Sequence, residues 1–312
     1  MAAAARPRRF RAAGGAVTRD LIGYGGRWPD FAWPNGARLA VSVVVNVEEG
    51  AELQTLDGDP SSERIGEVLS VVPEGRPDPG QAQIFAYGTR AGVWRMADAL
   101  RRHAVPATLF VCGRAAERAA PVIAALAADG HEAACHGWLW RPHADYDSAA
   151  AEAADLDRAA AAIEAAAGAR PVGFFCRGAE SPWTRRLLAE RGYLYTSNGF
   201  DDDLPYRDPS GLLVVPYALD SNDMKFFHPN GFVRAREMVE YVTDALDALE
   251  AEAARGLPRL LNIGFHLRIV GRPGRFAAFE GVLADLARRR DRLWIARRAD
   301  IARAFAKAVP CA

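Results

Sequence analysis

Leu39-Ala-Val-Ser-Val-Val-Val-Asn-Val47, followed at once by Glu48-Glu-Gly-Ala-Glu52, decides how this chain is read. Apolar but for Ser42 and Asn46, the run reads as a strand buried on both faces, as in a parallel sheet covered by helices. In α/β barrels the chemistry sits where the strands end, so Glu48 and Glu49 are placed at a catalytic rim. Successive residues of a strand point to opposite sides. At most one of the two carboxylates therefore faces a shared pocket, unless the strand has already turned.

Outward from this strand the pattern repeats. Further strands are expected at 107–112, 172–176, 212–215, 260–265 and 293–295, and helices at 93–103, 117–129, 148–167 and 234–255. Asp147 or Ser148 is suited to cap the third helix, and Gly168 and Pro171 to end it. Strand and helix in alternation imply parallel pairing with right-handed crossovers, hence an α/β fold. No Gly-x-Gly-x-x-Gly follows a strand and no Walker lysine loop is present, so nucleotide binding has no support. The Pro73–Gly80 stretch reads as a loop, because the pattern resumes on both sides of it.

The chain has 312 residues with 39 basic and 39 acidic side chains. That balance offers no general attraction for a phosphate backbone, so a small-molecule substrate is expected and no nucleic acid. The opening stretch carries Arg6, Arg8, Arg9, Arg11 and Arg19 and no acid before Asp20. Residues 1–19 are read as a disordered basic leader and 20–312 as one catalytic domain. No window is apolar enough to cross a membrane, and a cytoplasmic homo-oligomer is expected. Cys112, Cys135, Cys176 and Cys311 are too scattered for a disulfide framework. Cys112 and Cys176 end apolar runs, as small buried hydrophobes do, and Cys135 is the one thiol with a neighbouring base, His136.

Two further clusters carry chemistry. Gly130-His-Glu-Ala-Ala-Cys-His-Gly-Trp-Leu-Trp140 concentrates imidazole, thiol, carboxylate and indole groups, with His131 and His136 each a candidate base or ligand. Leu260-Leu-Asn-Ile-Gly-Phe-His266-Leu-Arg268 is an apolar strand ending in an imidazole, whose ordinary pKa suits proton transfer at neutral pH.

Val47-Glu-Glu-Gly50, Tyr87-Gly-Thr-Arg-Ala-Gly-Val-Trp-Arg95, Gly130-His-Glu with Cys135-His-Gly-Trp138, Asp201-Asp-Asp-Leu-Pro-Tyr206, Val215-Pro-Tyr-Ala-Leu-Asp-Ser-Asn-Asp-Met224 and His266-Leu-Arg-Ile-Val-Gly-Arg-Pro-Gly-Arg275 together resemble the polysaccharide deacetylase superfamily. Within it they most resemble the metal-independent allantoinase branch. The resemblance spans residues 18 to 305 and implies a distorted (β/α) barrel of about seven parallel strands that hydrolyses a non-peptide C–N bond.

The family's first motif has an aspartate base and a metal-binding aspartate, where this chain offers Asn46, Glu48 and Glu49. Its second motif is His-x-x-x-His, where this chain has His136 but Trp140. An indole has no lone pair for a metal, so the expected site is metal-free. A three-ligand set of Glu48 or Glu49 with His136 and His266, near His143, is the alternative.

Without a metal, a carboxylate base suffices mainly for an activated carbonyl, which favours a cyclic amide or ureide over a simple acetamide. Glu48 or Glu49, assisted by His136, is then the base, and His266 protonates the departing nitrogen. Arg90, Arg177 and backbone amides are candidates to hold the oxyanion. Tyr87, Trp138, Trp140 and Arg268 shape and polarise the pocket, while Asp220 and Asn222 orient the histidine or bind substrate. Arg177 is displaced relative to the allantoinase pattern and Glu180 enters beside it, which alters the polar substituent accepted. Two other functions compete: a metal-assisted N-deacylase of an amino sugar or specialised metabolite, and a non-catalytic binding protein on the same fold.

Overall fold

The computed structural model describes residues 20–310. The strand read from Leu39–Val47 is β1, buried at every position. It is followed by α1 (Pro79–Tyr87), a π-helical turn (Gly88–Gly92), α2 (Val93–His103), β2 (Ala107–Val111), α3 (Gly113–Arg118), α4 (Ala120–Ala128) and β3 (Glu132–Cys135). Then come α5 (Ala149–Ala167), β4 (Gly173–Phe174), α6 (Thr184–Glu190), β5 (Tyr195–Thr196), β6 (Tyr206–Arg207), β7 (Leu213–Val214) and α7 (Ala235–Ala254). The described chain closes with β8 (Arg259–His266), α8 (Leu267–Val270), α9 (Pro273–Arg288), β9 (Leu293–Ile295) and α10 (Arg298–Ala308).

The strands run in the order β6-β7-β5-β4-β3-β2-β1-β8, with β9 beside the start of β1, and curl into a half-barrel. Every pairing is parallel except that of β6 with β7. The gap beside β8 is bridged by the segment after β7, where the Gly264 amide donates to the Ser221 carbonyl at 3.1 Å. The deacetylase-type barrel expected from the sequence is therefore the fold observed. Its strand count is higher than about seven, because β3 and the two-residue strands β5 and β6 add pairings to those read from the sequence, which include β7 and β9.

Alternation along β1 divides the core. Leu39, Val41, Val43, Val45 and Val47 face the outer helices, while Ala40 and Val44 join Phe110, Tyr195, Val215 and Tyr217 inside the barrel. Each fully buried valine contributes roughly 1.5–3 kcal/mol, which fixes the strand's register. Ser42, which interrupts the apolar run, lies opposite Asn262 of β8, and the side chains of both accept from Nη1 of the buried Arg298, at 3.0 and 2.6 Å. Arg298 also donates to Ser197 Oγ at 2.9 Å and the Pro216 carbonyl at 2.6 Å, so α10 plugs the barrel interior.

Of the two caps open from the sequence, Ser148 is the one that caps α5, through the Ala151 amide, and Gly168 ends the helix in the left-handed region at φ 76°, as expected. The single helix expected over 117–129 is instead broken at Ala119, where Pro121 in the first turn of α4 starts a new helix. No helix among the described residues is long and apolar enough to cross a membrane. The leader reading of residues 1–19 and Cys311 lie outside the described residues.

Candidate active site

Register assembles the site. Asn46 pairs with His266 across β1 and β8, Val47 with Val111, and Val111 with Cys135. The residues that follow, Glu48 and His136, therefore emerge at the same level as His266, on the carboxyl rim of the sheet. Glu48 continues the inward alternation of Ala40, Val44 and Asn46, which settles which of the two adjacent glutamates turns into the barrel.

The Glu48 carboxylate is enclosed by three cationic or imidazole groups. Its Oε1 lies 3.3 Å from His136 Nε2 and 3.3 Å from His266 Nε2, and its Oε2 lies 2.7 Å from Arg268 Nη1. Burial raises the pKa of such a carboxyl. Here the charges of Arg268 and His266, with hydrogen bonds from both imidazoles, outweigh it and hold Glu48 well below the usual range. For His266, burial favours the neutral form, yet Glu48 and Asp223 raise its pKa to about 9. Asp223 accepts from His266 Nδ1 at 2.6 Å and from its backbone amide at 2.8 Å, so the ring is held at two points with Nε2 aimed at Glu48. His136 is fixed differently: Nδ1 donates to the Phe175 carbonyl at 2.7 Å and the ring stacks on Phe175 at 5.1 Å. Phe175 stacks in turn on Tyr217 at 4.4 Å.

Glu49 turns away from the barrel interior. One carboxylate oxygen accepts from the Glu48 amide and the other from the Arg268 amide, both at 3.1 Å. Its carboxyl fills the space where a Cβ on Gly88 would stand, 2.3 Å from its oxygen, so Gly88 must lack a side chain. Burial, despite Arg268, raises its pKa. Glu49 is thus a clamp between β1 and α8. Arg268 itself is 1% exposed and lies over the rings of Phe85 and Trp140, at 4.4 and 4.8 Å. Although the ion pair is close, Glu48 Oε2 and Arg268 Nε and Nη1 make no hydrogen bond, nor does Asn46 Oδ1. Of these, Arg268 Nε and Asn46 Oδ1 have no partner at all, while Glu48 Oε2 and Arg268 Nη1 have only each other at 2.7 Å, which marks where a polar ligand is received.

The other sequence candidates are distributed around this centre. Trp140 packs with Ala51, Phe85, Cys112 and Ala115, forming the wall behind Arg268. Asn222 donates to the Tyr217 hydroxyl at 2.8 Å and caps the turn that carries Asp223. Tyr87 is bound by Arg95 at 2.6 Å and covered by Arg272. Several expectations need correction on position. Asp220 is exposed and accepts from Tyr241 at 2.9 Å, so the histidine's orienting carboxylate is Asp223, three positions later. Arg90 is exposed on the π-helical turn. Arg177 pairs with Glu63 at 2.5 Å and lies 3.8 Å over Trp140, and Glu180 is held by Arg185 and Thr196. Trp138 is a packing residue under Arg158. His131 accepts from the Ala107 amide, and His143 is joined to Glu152 at 2.8 Å, away from Glu48. Burial raises the pKa of Cys112, Cys135 and Cys176, so none is an activated thiolate.

The family's metal does not fit this donor set. The second imidazole position is an indole seated in an apolar cluster, and the would-be carboxylate ligand already faces a fixed guanidinium at 2.7 Å. A divalent cation would meet the Arg268 charge. Among the described residues no group of three or more His, Cys, Asp or Glu is arranged to hold a metal.

The signals that sequence reading missed are Asp223, Tyr217 and Phe175. Of these only Asp223, an acid in the turn after a strand, had a chemical signature to find.

A buried acid–base centre at the carboxyl rim of a curled parallel sheet is equipped for hydrolysis, and the comparisons with known proteins give the class. Residues 76–195 match the polysaccharide deacetylase family. A polysaccharide deacetylase family protein of Schizosaccharomyces pombe is 32% identical over 94% of this chain and 98% of its own. A solved family member from Pseudomonas aeruginosa is 40% identical, covering 95% of this chain and all of that one, with a TM-score of 0.89. The crystal structure of PuuE allantoinase is 38% identical over 96% of this chain and all of its own, also at 0.89. The chain belongs to the polysaccharide deacetylase family, and is a hydrolase of carbon–nitrogen bonds other than peptide bonds.

Proposed function

We propose that this protein opens a cyclic amide or ureide ring by adding water to a ring carbonyl, as an allantoinase does, without a bound metal. The observation that carries this reading is the buried Glu48 carboxylate flanked by two imidazoles and Arg268, with one oxygen and two guanidinium nitrogens left without hydrogen bonds. Glu48 Oε2 receives the attacking water and takes its proton. Arg268 Nε and Nη1 donate to the carbonyl oxygen as it becomes an oxyanion, in a site dry enough for those donors to count. This replaces Arg90 and Arg177, which lie elsewhere, in the oxyanion role. His266, protonated at neutral pH because Glu48 and Asp223 outweigh its burial, delivers the Nε2 proton to the departing ring nitrogen. His136 keeps Glu48 in place from the opposite side.

The substrate class follows from the strength of the base. A metal lowers the pKa of bound water to about 7, whereas a carboxylate held as firmly anionic as Glu48 is a weak base. Attack then needs a carbonyl already activated, as in hydantoins and imides, and an unactivated acetamide is a poor substrate. The likeness to PuuE allantoinase supports the same class. The test is a hydrolysis screen over hydantoins, imides, formamides and acetamides, run with elemental analysis of the protein and with a chelator present. Ring opening of hydantoins by metal-free protein is expected. One zinc per chain, with turnover only of N-acetyl substrates, would replace this reading by the deacylase one.

A further inference from the structure

The groups that perform this chemistry are closed off. Glu48, His136, His266 and Arg268 are 1%, 2%, 4% and 1% exposed. The connection between β1 and α1 reaches this rim through Glu63, whose carboxylate pairs with Arg177, stacked 3.8 Å over Trp140 beside Arg268. The geometry points to residues 53–78 as a hinged lid, latched in the closed state by two partly exposed ion pairs, with Glu63 occupying an arginine that binds an anionic group of the substrate when the lid opens. This rests on the ring-opening reading above for the substrate, but not for the lid.

The fastening is by charge. Asp57 pairs with Arg118 at 2.5 Å and Asp59 with Arg114 at 2.9 Å, both on α3. Glu63 pairs with Arg177 of the β4–α6 connection at 2.5 Å, and Glu67 with Arg275 of α9 and with Arg272 at 3.5 Å. Apolar burial adds little. Ile65, Val68, Leu69 and Val71 are 38%, 66%, 73% and 95% exposed, so this stretch presents its hydrophobic side chains outward and not to the barrel.

The two sets of pairs differ in strength. Arg114 binds Asp59 through both carboxylate oxygens, also donates to the Gly50 carbonyl at 2.9 Å, and is 8% exposed. Such a multidentate buried contact is a fixed hinge. The Arg275–Glu67 pair is 21% and 28% exposed and the Arg118–Asp57 pair 42% and 25%, while in the Glu63–Arg177 pair Arg177 is 28% exposed and Glu63 9%, held by a single contact and not by the several that fix Asp59. Pairs of that kind are weak and screened by salt, and so form the latch. The lid is also internally ordered: the Thr55 hydroxyl donates to the Arg76 carbonyl at 3.1 Å and Ser62 Oγ to Gln54 Oε1 at 2.7 Å, while Gln81 of α1 tethers its far end through the Arg64 and Val68 carbonyls at 3.0 and 3.2 Å. It therefore swings as a piece and does not unravel.

Arg177 connects the latch to recognition. Its guanidinium lies 3.8 Å from the Trp140 ring centre, and Arg268, the partner of Glu48, lies 4.8 Å from the same ring. Once Glu63 leaves, Arg177 presents an unpaired cation one indole away from the reacting groups. A carboxylate on the substrate takes the place of the Glu63 carboxylate.

The peptide bond after Arg64, exposed in the middle of the lid, reports its opening directly. In the full-length E63Q/E67Q variant, trypsin cleavage at Arg64 is expected to accelerate at least about threefold over the parent, with an unchanged thermal melt, and high salt should accelerate the parent likewise. Equal cleavage rates in variant and parent, insensitive to salt, overturn the lid. For the recognition half, hydantoin-5-acetate is compared with hydantoin. E63Q should lower KM for the acid alone and R177Q raise it for the acid alone, with kcat kept within about twofold. Equal KM shifts for both compounds overturn the role of Arg177. If neither compound is hydrolysed the ring-opening reading fails, while the proteolysis still decides the lid.

Discussion

His266 and Glu48 face each other with Nε2 and Oε1 3.3 Å apart, and each sets the protonation of the other. The carboxylate, with Asp223, lifts the imidazole to about 9, and the imidazolium, with Arg268, keeps the carboxyl ionised despite complete burial. One member is thereby a proton donor and the other an acceptor at the same pH. That polarity is what addition of water and departure of an amine require. Their contribution to folding follows the same shifts. The part from His266, whose folded pKa is raised, is fully present below its unfolded value of ~6.5 and is lost as pH rises through about 9. The part from Glu48, whose folded pKa is depressed, is present above its unfolded value of ~4.3 and is lost only as pH falls through the lower folded value.

Turnover should therefore hold a plateau across neutral pH and fall on the alkaline side near 9, as His266 loses its proton. His266→Ala should lose at least about a hundredfold in kcat with the fold intact by circular dichroism. A pH–rate profile on the ring substrate from the screen checks the first. An alkaline limb near 6.5, or near-parental activity in the variant, would remove His266 as the acid.

Asp223 acts through His266. Asp223→Asn removes a charge that raises the imidazole pKa and replaces an acceptor with an amide that satisfies only one of two donors. The alkaline limb should move down by about one pH unit, roughly 1.4 kcal/mol of lost interaction. Proton NMR titration of the His266 ring measures it without reference to activity. An unshifted titration would mean that Glu48 alone sets the imidazole.

The two adjacent glutamates separate in their expected effects. Glu48→Gln removes the base, and turnover should fall by about 10²–10⁴-fold; it also leaves the buried Arg268 without its anion, so urea unfolding should show a loss of about 3–5 kcal/mol. Glu49→Gln turns an amide NH2 toward one of the two backbone N–H groups that now donate to carboxylate oxygens. It should cost about 1–3 kcal/mol in urea unfolding and affect kcat less than the Glu48 change does. Reversal of that order would make Glu49 the base.

How much of this was legible depended on whether a residue's role was local. β1 declared itself because nine buried positions in a row leave few alternatives to a central parallel strand, and His266 because an apolar strand that ends in imidazole breaks its own pattern. The strand Glu132–Cys135 carries too little apolar bulk to stand out, and β5 and β6 are two residues each, whereas β4 and β7 lie within expected apolar runs. Asp223 was missed in favour of Asp220 because the choice between two acids in one turn is made by a contact 43 residues away. Whether Glu48 or Glu49 faces inward needed the point at which β1 stops alternating. Arg177 and Glu180 looked like a pair acting on substrate, but each is matched to a different partner, Glu63 and Arg185, from distant segments. Arg298 was invisible, since a lone arginine near the end of a charged helix gives no hint that it fills a barrel.

Trp140 offers the sharpest test of how the site does without a metal. If the indole were merely a lost ligand, Trp140→His would restore the family's imidazole pair and zinc would bind. The structure argues otherwise. The side chain at 140 is packed among Ala51, Phe85, Cys112 and Ala115 and supports Arg268, whose guanidinium stays 2.7 Å from the carboxylate a metal would need. A histidine there should leave a partly filled apolar space, cost about 2–4 kcal/mol of stability, and take up no stoichiometric zinc by elemental analysis after equilibration with the ion. Tight one-to-one zinc binding by Trp140→His would show that the guanidinium yields to a metal, and that the indole alone had kept the site metal-free.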